Sequence, residues 1–107
     1  MPPPEPTVSR WEDPAKVIQA IVKGTTVTIE FLQHAASRMR ERGISEADVV
    51  AVLDNPDDTG LPADEGRKRD RKNCGPGVAL NVVYEELPDR LRIFSAYRSS
   101  HRISGRF

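Results

Sequence analysis

The stretch that most constrains this chain is residues 26–55, TVTIEF followed by LQHAASRMRERG and ISEADVVAVLDN. It reads as a strand, a helix, a tight turn and a second helix. In residues 26–31 the apolar Val27, Ile29 and Phe31 alternate with polar neighbours and β-branched residues abound, so a strand with one buried side is expected. Leu32, Ala35, Ala36 and Met39 then recur at i, i+3, i+4 and i+7, the apolar stripe of an amphipathic helix. His34, Arg38 and Arg42 stand four residues apart and form a second stripe, polar and cationic, that begins opposite the first. Gly43 falls where a helix wants a residue of positive φ just past its end. Ser45 and Asp48 have the spacing of a capping box, with Asp in place of Glu. Val49, Val50, Val52 and Leu53 supply the apolar side of that second helix, and Asn55-Pro56 stops it.

On either side of this unit the pattern is less regular. Residues 1–10 are proline-rich and read as an extended or disordered lead-in. In residues 11–24, Asp13 as N-cap, Pro14 as first helical residue and Ala15, Ile18, Ile21 and Val22 on one side predict an N-terminal helix ending at Lys23-Gly24. Such a helix would be an added packing element or a partner-binding arm. Residues 57–66 hold four acids, two glycines and a proline, which predicts a loop, broken by a short edge strand near Leu61.

The run RKRDRKNC then puts Arg67, Arg69 and Arg71 on one face of an extended segment and Lys68, Asp70 and Lys72 on the other. It suits a strand facing solvent or phosphate, not a buried one. Gly75-Pro76-Gly77 is a turn. Val78, Leu80, Val82 and Tyr84 alternate with Ala79, Asn81 and Val83, a central strand apolar on both sides except at Asn81. After a turn at residues 86–89, Leu91, Ile93, Ser95 and Tyr97 oppose Arg92, Phe94, Ala96 and Arg98 in a partner strand, and residues 99–107 read as a surface tail. The fold class is therefore α+β, with residues 25–98 forming helices on one face of a small, mostly antiparallel sheet. Met39, Val49, Leu53, Leu80, Val82 and Ile93 are its expected core.

A chain of 107 residues fits one domain with a single modest core. Its 16 basic and 16 acidic residues cancel, which argues against strong whole-molecule attraction to nucleic acid or membrane. The cancellation hides an asymmetry, because residues 67–107 hold ten Lys or Arg against four Asp or Glu. A local basic surface is compatible with the neutral total. One cysteine, Cys74, excludes an internal disulfide and fits a reducing compartment, and without a Cys/His cluster no structural zinc site and no cofactor is expected. The opening MPPPEP lacks the regions of a secretory signal and no apolar run reaches membrane-spanning length, so the expected location is cytoplasmic.

The residues His34, Ala35, Arg38, Met39, Arg42, Gly43, Ile44, Ser45, Asp48 and Val49, together with the strand pair VALNVVYEE and LRIFSAYR, resemble the domain-of-unknown-function family numbered 4258. The likeness covers residues 26–98. It implies a fold of the barnase, EndoU, colicin and RelE nuclease-like group, which includes many bacterial toxins that cleave RNA. On that implication the chain is expected to be a small metal-independent ribonuclease, the toxin of a toxin–antitoxin pair, with RNA and an antitoxin protein as partners. The alternative is a non-catalytic module of the same fold that binds protein or RNA.

Cleavage of RNA by internal attack needs a group to take the 2′-hydroxyl proton, a group to protonate the leaving oxygen, and cations for the developing phosphorane charge. His34, Arg38 and Tyr97 are the candidates for catalysis. Arg42, Arg67, Arg69, Arg71, Lys72 and Arg98 are the candidates for holding phosphate. The helix start at His34 is also suited to an anion. Each candidate has a plainer alternative. His34 could hydrogen-bond a neighbouring strand, Arg38 and Arg42 could pair with Glu41, Glu46 or Asp48 on a solvated face, the basic run could be a solvated strand, and Tyr97 could pack at a sheet end. If the chain acts on RNA, Arg38, and Arg69 or Arg71, are expected to converge with His34 on one pocket, with Tyr97 and Arg98 at its edge; arginines that point instead to separate carboxylates among Glu41, Asp48, Asp64 and Glu65 would favour the partner-binding reading.

Overall fold

The computed structural model describes residues 14–100. Six strands and two helices follow in the order β1 (Pro14–Val22), β2 (Thr25–Leu32), α1 (Gln33–Arg42), α2 (Glu46–Asp54), β3 (Asp58–Pro62), β4 (Lys68–Gly75), β5 (Val78–Leu87) and β6 (Arg90–Ser100). They form one mixed sheet in the order β1-β2-β6-β5-β4-β3, with β5 and β6 at its centre. All pairings are antiparallel except β2 with β6, which run parallel over three positions, Ile29 to Phe31 beside Leu91 to Ile93. The expected α+β class holds, and the strand read as central is central.

The expected N-terminal helix is corrected over residues 14–22, which are strand β1. Of the residues that suggested a helical stripe, Ile18 and Val22 also fit an alternation, in which Ile18, Ala20 and Val22 turn toward the core while Ala15, Val17 and Ile21 stay exposed. Four of the nine residues are β-branched, and Lys23 and Gly24 both take positive φ (52° and 82°), the backbone of a two-residue hairpin turn that brings β2 alongside. Pairing to β2 then satisfies the backbone as a helix would have done. The proposed lead-in of residues 1–10, residues 11–13 with the expected N-cap Asp13, and the tail beyond residue 100 lie outside the described residues, while Ser99 and Ser100, read as tail, belong to β6.

α1 and α2 cover one face of the sheet. Gly43 ends α1 at φ 67°, and the Ser45 hydroxyl and Asp48 carboxylate of α2 each accept the other's backbone N–H, at 3.1 and 2.9 Å. All six residues named as core are buried, together with Ile29, Phe31, Val52 and Ala96. Lys16 of β1 pairs with Glu46 of α2 at 2.9 Å and the Lys23 N–H donates to Asp54 at 2.7 Å, fastening the first hairpin to the second helix.

Candidate functional site

A register shift in the central strands decides what the sheet's other face presents. Tyr84 pairs with Ile93 and Val83 with Ser95, so Phe94 is the extra residue of a β-bulge. Before the bulge, Leu91 and Ile93 face the helices. After it, Ala96 and Arg98 do, and Ser95 and Tyr97 turn to the opposite face. The simple alternation expected for this strand had put Ile93 and Tyr97 on one side. On the opposite face Arg69, Val83 and Ser95 stand in one row and Arg71, Asn81 and Tyr97 in the next.

Over these rows lies a cavity of about 520 Å³ lined by His34, Pro62, Ala63, Asp64, Arg67, Arg69, Val83, Phe94, Ser95 and Tyr97. His34 reaches it because β2 stops pairing with β6 at Ile93 and α1 continues from there, packed along β6. The Arg42 guanidinium donates to the Ala96 carbonyl at 2.9 Å, and that of Arg98 to the Arg42 and Gly43 carbonyls at 2.6 and 3.3 Å. These bonds fix the far end of α1, and with it the direction from which His34 enters. The near end of α1 has no side-chain cap and no acid in its first turn, whereas α2 closes its own start with the capping box.

Of the two arginines in the pocket, Arg69 is held without a carboxylate and Arg67 with one. Arg69 donates to Asn81 Oδ1 at 2.9 Å, a neutral acceptor. Asn81 is fully buried and is itself oriented, since its amide nitrogen donates to Ser99 Oγ at 2.8 Å and the Tyr97 carbonyl at 3.4 Å. Arg67 lies flat on Phe94, its Cζ 3.6 Å from the ring centroid, with Glu65 3.3 Å from Nη2. Elsewhere Arg71 pairs with Asp58, Arg90 and Arg92 with Glu30, and Lys68 with Glu86.

Of the nine residues named from sequence, His34, Arg67, Arg69 and Tyr97 line the pocket. The other five do not, so the expected convergence is met by Arg69 and Tyr97 and fails for Arg38 and Arg98. Arg38 is exposed and 3.5 Å from Glu41, because one helical turn past His34 carries it away from the sheet. Arg42 and Arg98 serve the end of α1, Arg71 is neutralised by Asp58, and Lys72 donates to the Asn55 carbonyl at 2.9 Å. Sequence reasoning missed Asp64, Phe94 and Ser95 as pocket residues and Asn81 as the support of Arg69. Only Asn81 had left a sign, as the one polar residue in an apolar strand.

One further polar centre sits on the helix-covered face. Asp70 is buried and accepts from Thr59 Oγ1 at 3.0 Å, Gly60 N at 2.9 Å and the Tyr84 hydroxyl at 2.9 Å. Burial pushes the Tyr84 phenol well above its usual range, and the Asp70 carboxylate beside it adds to the push. The cluster ties β3 to β4 and so holds the segment that runs on to Pro62, Ala63 and Asp64 at the pocket. Among the described residues no three His, Cys, Asp or Glu stand together so as to hold a metal ion, and no helix is long and apolar enough to cross a membrane.

Residues 31–98 match the family described as Domain of unknown function (DUF4258), and the chain belongs to that family. No curated protein and no solved structure matches it.

Proposed function

We propose that this DUF4258 domain is a small ribonuclease of the RelE and barnase-like kind, acting in the cytoplasm as the toxin of a bacterial toxin–antitoxin pair, with the pocket over β4–β5–β6 as its active site. The observation that carries the reading is Arg69, a guanidinium held by a neutral amide within the same pocket as a histidine. Its charge stays available to an anion, and a phosphodiester is an anion that a neighbouring histidine can help to break.

In this reading His34 takes the proton of the 2′-hydroxyl, the 2′-oxygen attacks phosphorus, and the bond from phosphorus to the 5′-oxygen breaks. Tyr97 gives the leaving oxygen its proton, and the product end is a 2′,3′-cyclic phosphate. Arg69 and Arg67 stabilise the extra charge on the phosphorane oxygens. The uncapped start of α1 adds partial positive charge on the same side. The chemistry asks for no metal.

The rival reading, a non-catalytic module that binds a protein or RNA, draws on Asp64 and Glu65, which bring carboxylates to the pocket and its margin. His34→Ala separates the two. His34 is exposed, so its removal should leave thermal stability unchanged while RNA cleavage falls about 10²–10⁴-fold and growth arrest on expression is relieved. Cleavage undiminished in His34→Ala removes His34 from the mechanism, and a wild type that cuts no RNA transfers the pocket to the binding module.

A further inference from the structure

We infer that the Arg67–Phe94 pair is a stacking platform for one unpaired nucleobase, so that the pocket takes single-stranded RNA in preference to duplex. The inference rests on the ribonuclease reading and goes beyond it by naming the form of the substrate. The sequence of the basic run had offered cations without aromatic residues between them, which speaks for phosphate contact alone. The fold supplies the missing aromatic from another strand: Phe94 follows the core-facing Ile93 in β6 and so turns to the opposite face, where it lines the cavity beside Arg67.

The two side chains are stacked. The Arg67 guanidinium lies over the Phe94 ring at 3.6 Å to the centroid, and its side chain keeps a quarter of its surface (25%) open. A guanidinium with one face on an aromatic ring has its other face free for a second π system, and bases stack on arginine planes as they do on aromatic rings. In the same strand as Arg69, Arg71 and Lys68 are closed ion pairs with Asp58 and Glu86, so the stacked cation and the cation held without a carboxylate meet at Arg67, Phe94 and Arg69. A base can reach Arg67 with its phosphate at Arg69 only if it is out of a helical stack. In a duplex the π-faces of the bases are covered by their neighbours.

The test measures binding of short 2′-O-methyl oligoribonucleotides, which this chemistry cannot cleave, by fluorescence anisotropy with the full chain. Three probes of equal length are compared: a single strand, its duplex and a single strand lacking bases. The single strand should bind about tenfold more tightly than the abasic strand, and more tightly than the duplex. Phe94→Leu, which keeps the apolar contact and loses the ring, should erase the advantage of the base-bearing strand while leaving the abasic strand's affinity within about twofold, and Arg67→Lys, which keeps the charge and loses the plane, should bring the ratio of base-bearing to abasic affinity close to one even where phosphate binding itself weakens. Because Phe94 is half-buried, a melting curve accompanies that variant, and Arg67→Lys decides if it fails to fold. Equal affinity of wild type for base-bearing and abasic strands, or for single strand and duplex, overturns the platform and leaves the phosphate site standing. Failure of every probe to bind removes the ribonuclease reading with it.

Discussion

Neighbouring residues of one strand show two uses of a charged side chain. Asp70 and Arg69 are adjacent in β4 and point to opposite faces of the sheet. Asp70, under the helices, accepts three hydrogen bonds and ties together β3, β4 and Tyr84. Arg69, on the other face, has a neutral amide partner and faces a cavity. A charge that is fully partnered by its own chain builds structure, because leaving it unpartnered in the interior is costly. A charge held in position but not neutralised is open to a ligand. The face with the helices is therefore where losses should appear as instability, and the face without them is where losses should appear as function.

The largest effect on stability is expected at Asp70. Asp70→Ala leaves the Tyr84 hydroxyl buried without its acceptor and releases Thr59 and Gly60 from β4, which should destabilise the fold by about 1.5–3 kcal/mol in urea unfolding. Since β3 leads to the pocket wall, any activity should fall too, but as a consequence of lost order. If Asp70→Ala proves as stable as wild type, the division between the two faces is wrong at its clearest point.

A smaller effect, with a distinctive pH signature, is expected at Tyr84. An unfolded tyrosine loses its proton at about pH 10. The folded phenol, raised by burial and by Asp70, keeps its proton beyond that point. Below the unfolded value both states are protonated and the contribution is fully present. As pH rises above it only the unfolded chain deprotonates, so stability should fall by up to about 1.4 kcal/mol per pH unit. Tyr84→Phe should lose about 1 kcal/mol near neutrality, from one hydrogen bond, and should lack this part of the alkaline slope. Urea titrations of both proteins on either side of pH 10 measure it, and parallel slopes would exclude Tyr84 as their source.

Which parts of this could be read in advance follows from how local their causes are. The α1–turn–α2 unit was legible because Gly43 and the Ser45–Asp48 box act within a few residues of themselves. Residues 14–22 were misread because Ile18 and Val22 satisfy a helical spacing and a strand spacing at once, while Ile21 fits only the helix, and the choice was made by a partner strand beyond Gly24. Four of the ten residues lining the pocket were legible as chemistry, His34, Arg67, Arg69 and Tyr97. The facing of Ser95 and Tyr97 depends on one extra residue in β6, which has no signature in a strand of mixed polarity, and Pro62, Ala63 and Asp64 are brought in by the pairing of β3 with β4.

The smallest effect, and the sharpest test of geometry against sequence pattern, is at Arg38. In the linear sequence it belongs with His34 and Arg42 as one cationic stripe, and that stripe made it a candidate for catalysis. On the folded helix the three separate. His34 enters the pocket, Arg42 bonds to the Ala96 carbonyl, and Arg38 stays in solvent 3.5 Å from Glu41. An exposed i,i+3 pair of this kind is worth at most a few tenths of a kcal/mol, because water screens it and both long side chains lose freedom in making it. Arg38→Ala should therefore shift stability by less than about 0.5 kcal/mol and leave both RNA binding and cleavage at wild-type levels. Loss of cleavage in Arg38→Ala with stability intact would mean that the substrate extends along α1 past the pocket, and the site would then have to be redrawn over the helix as well as the sheet.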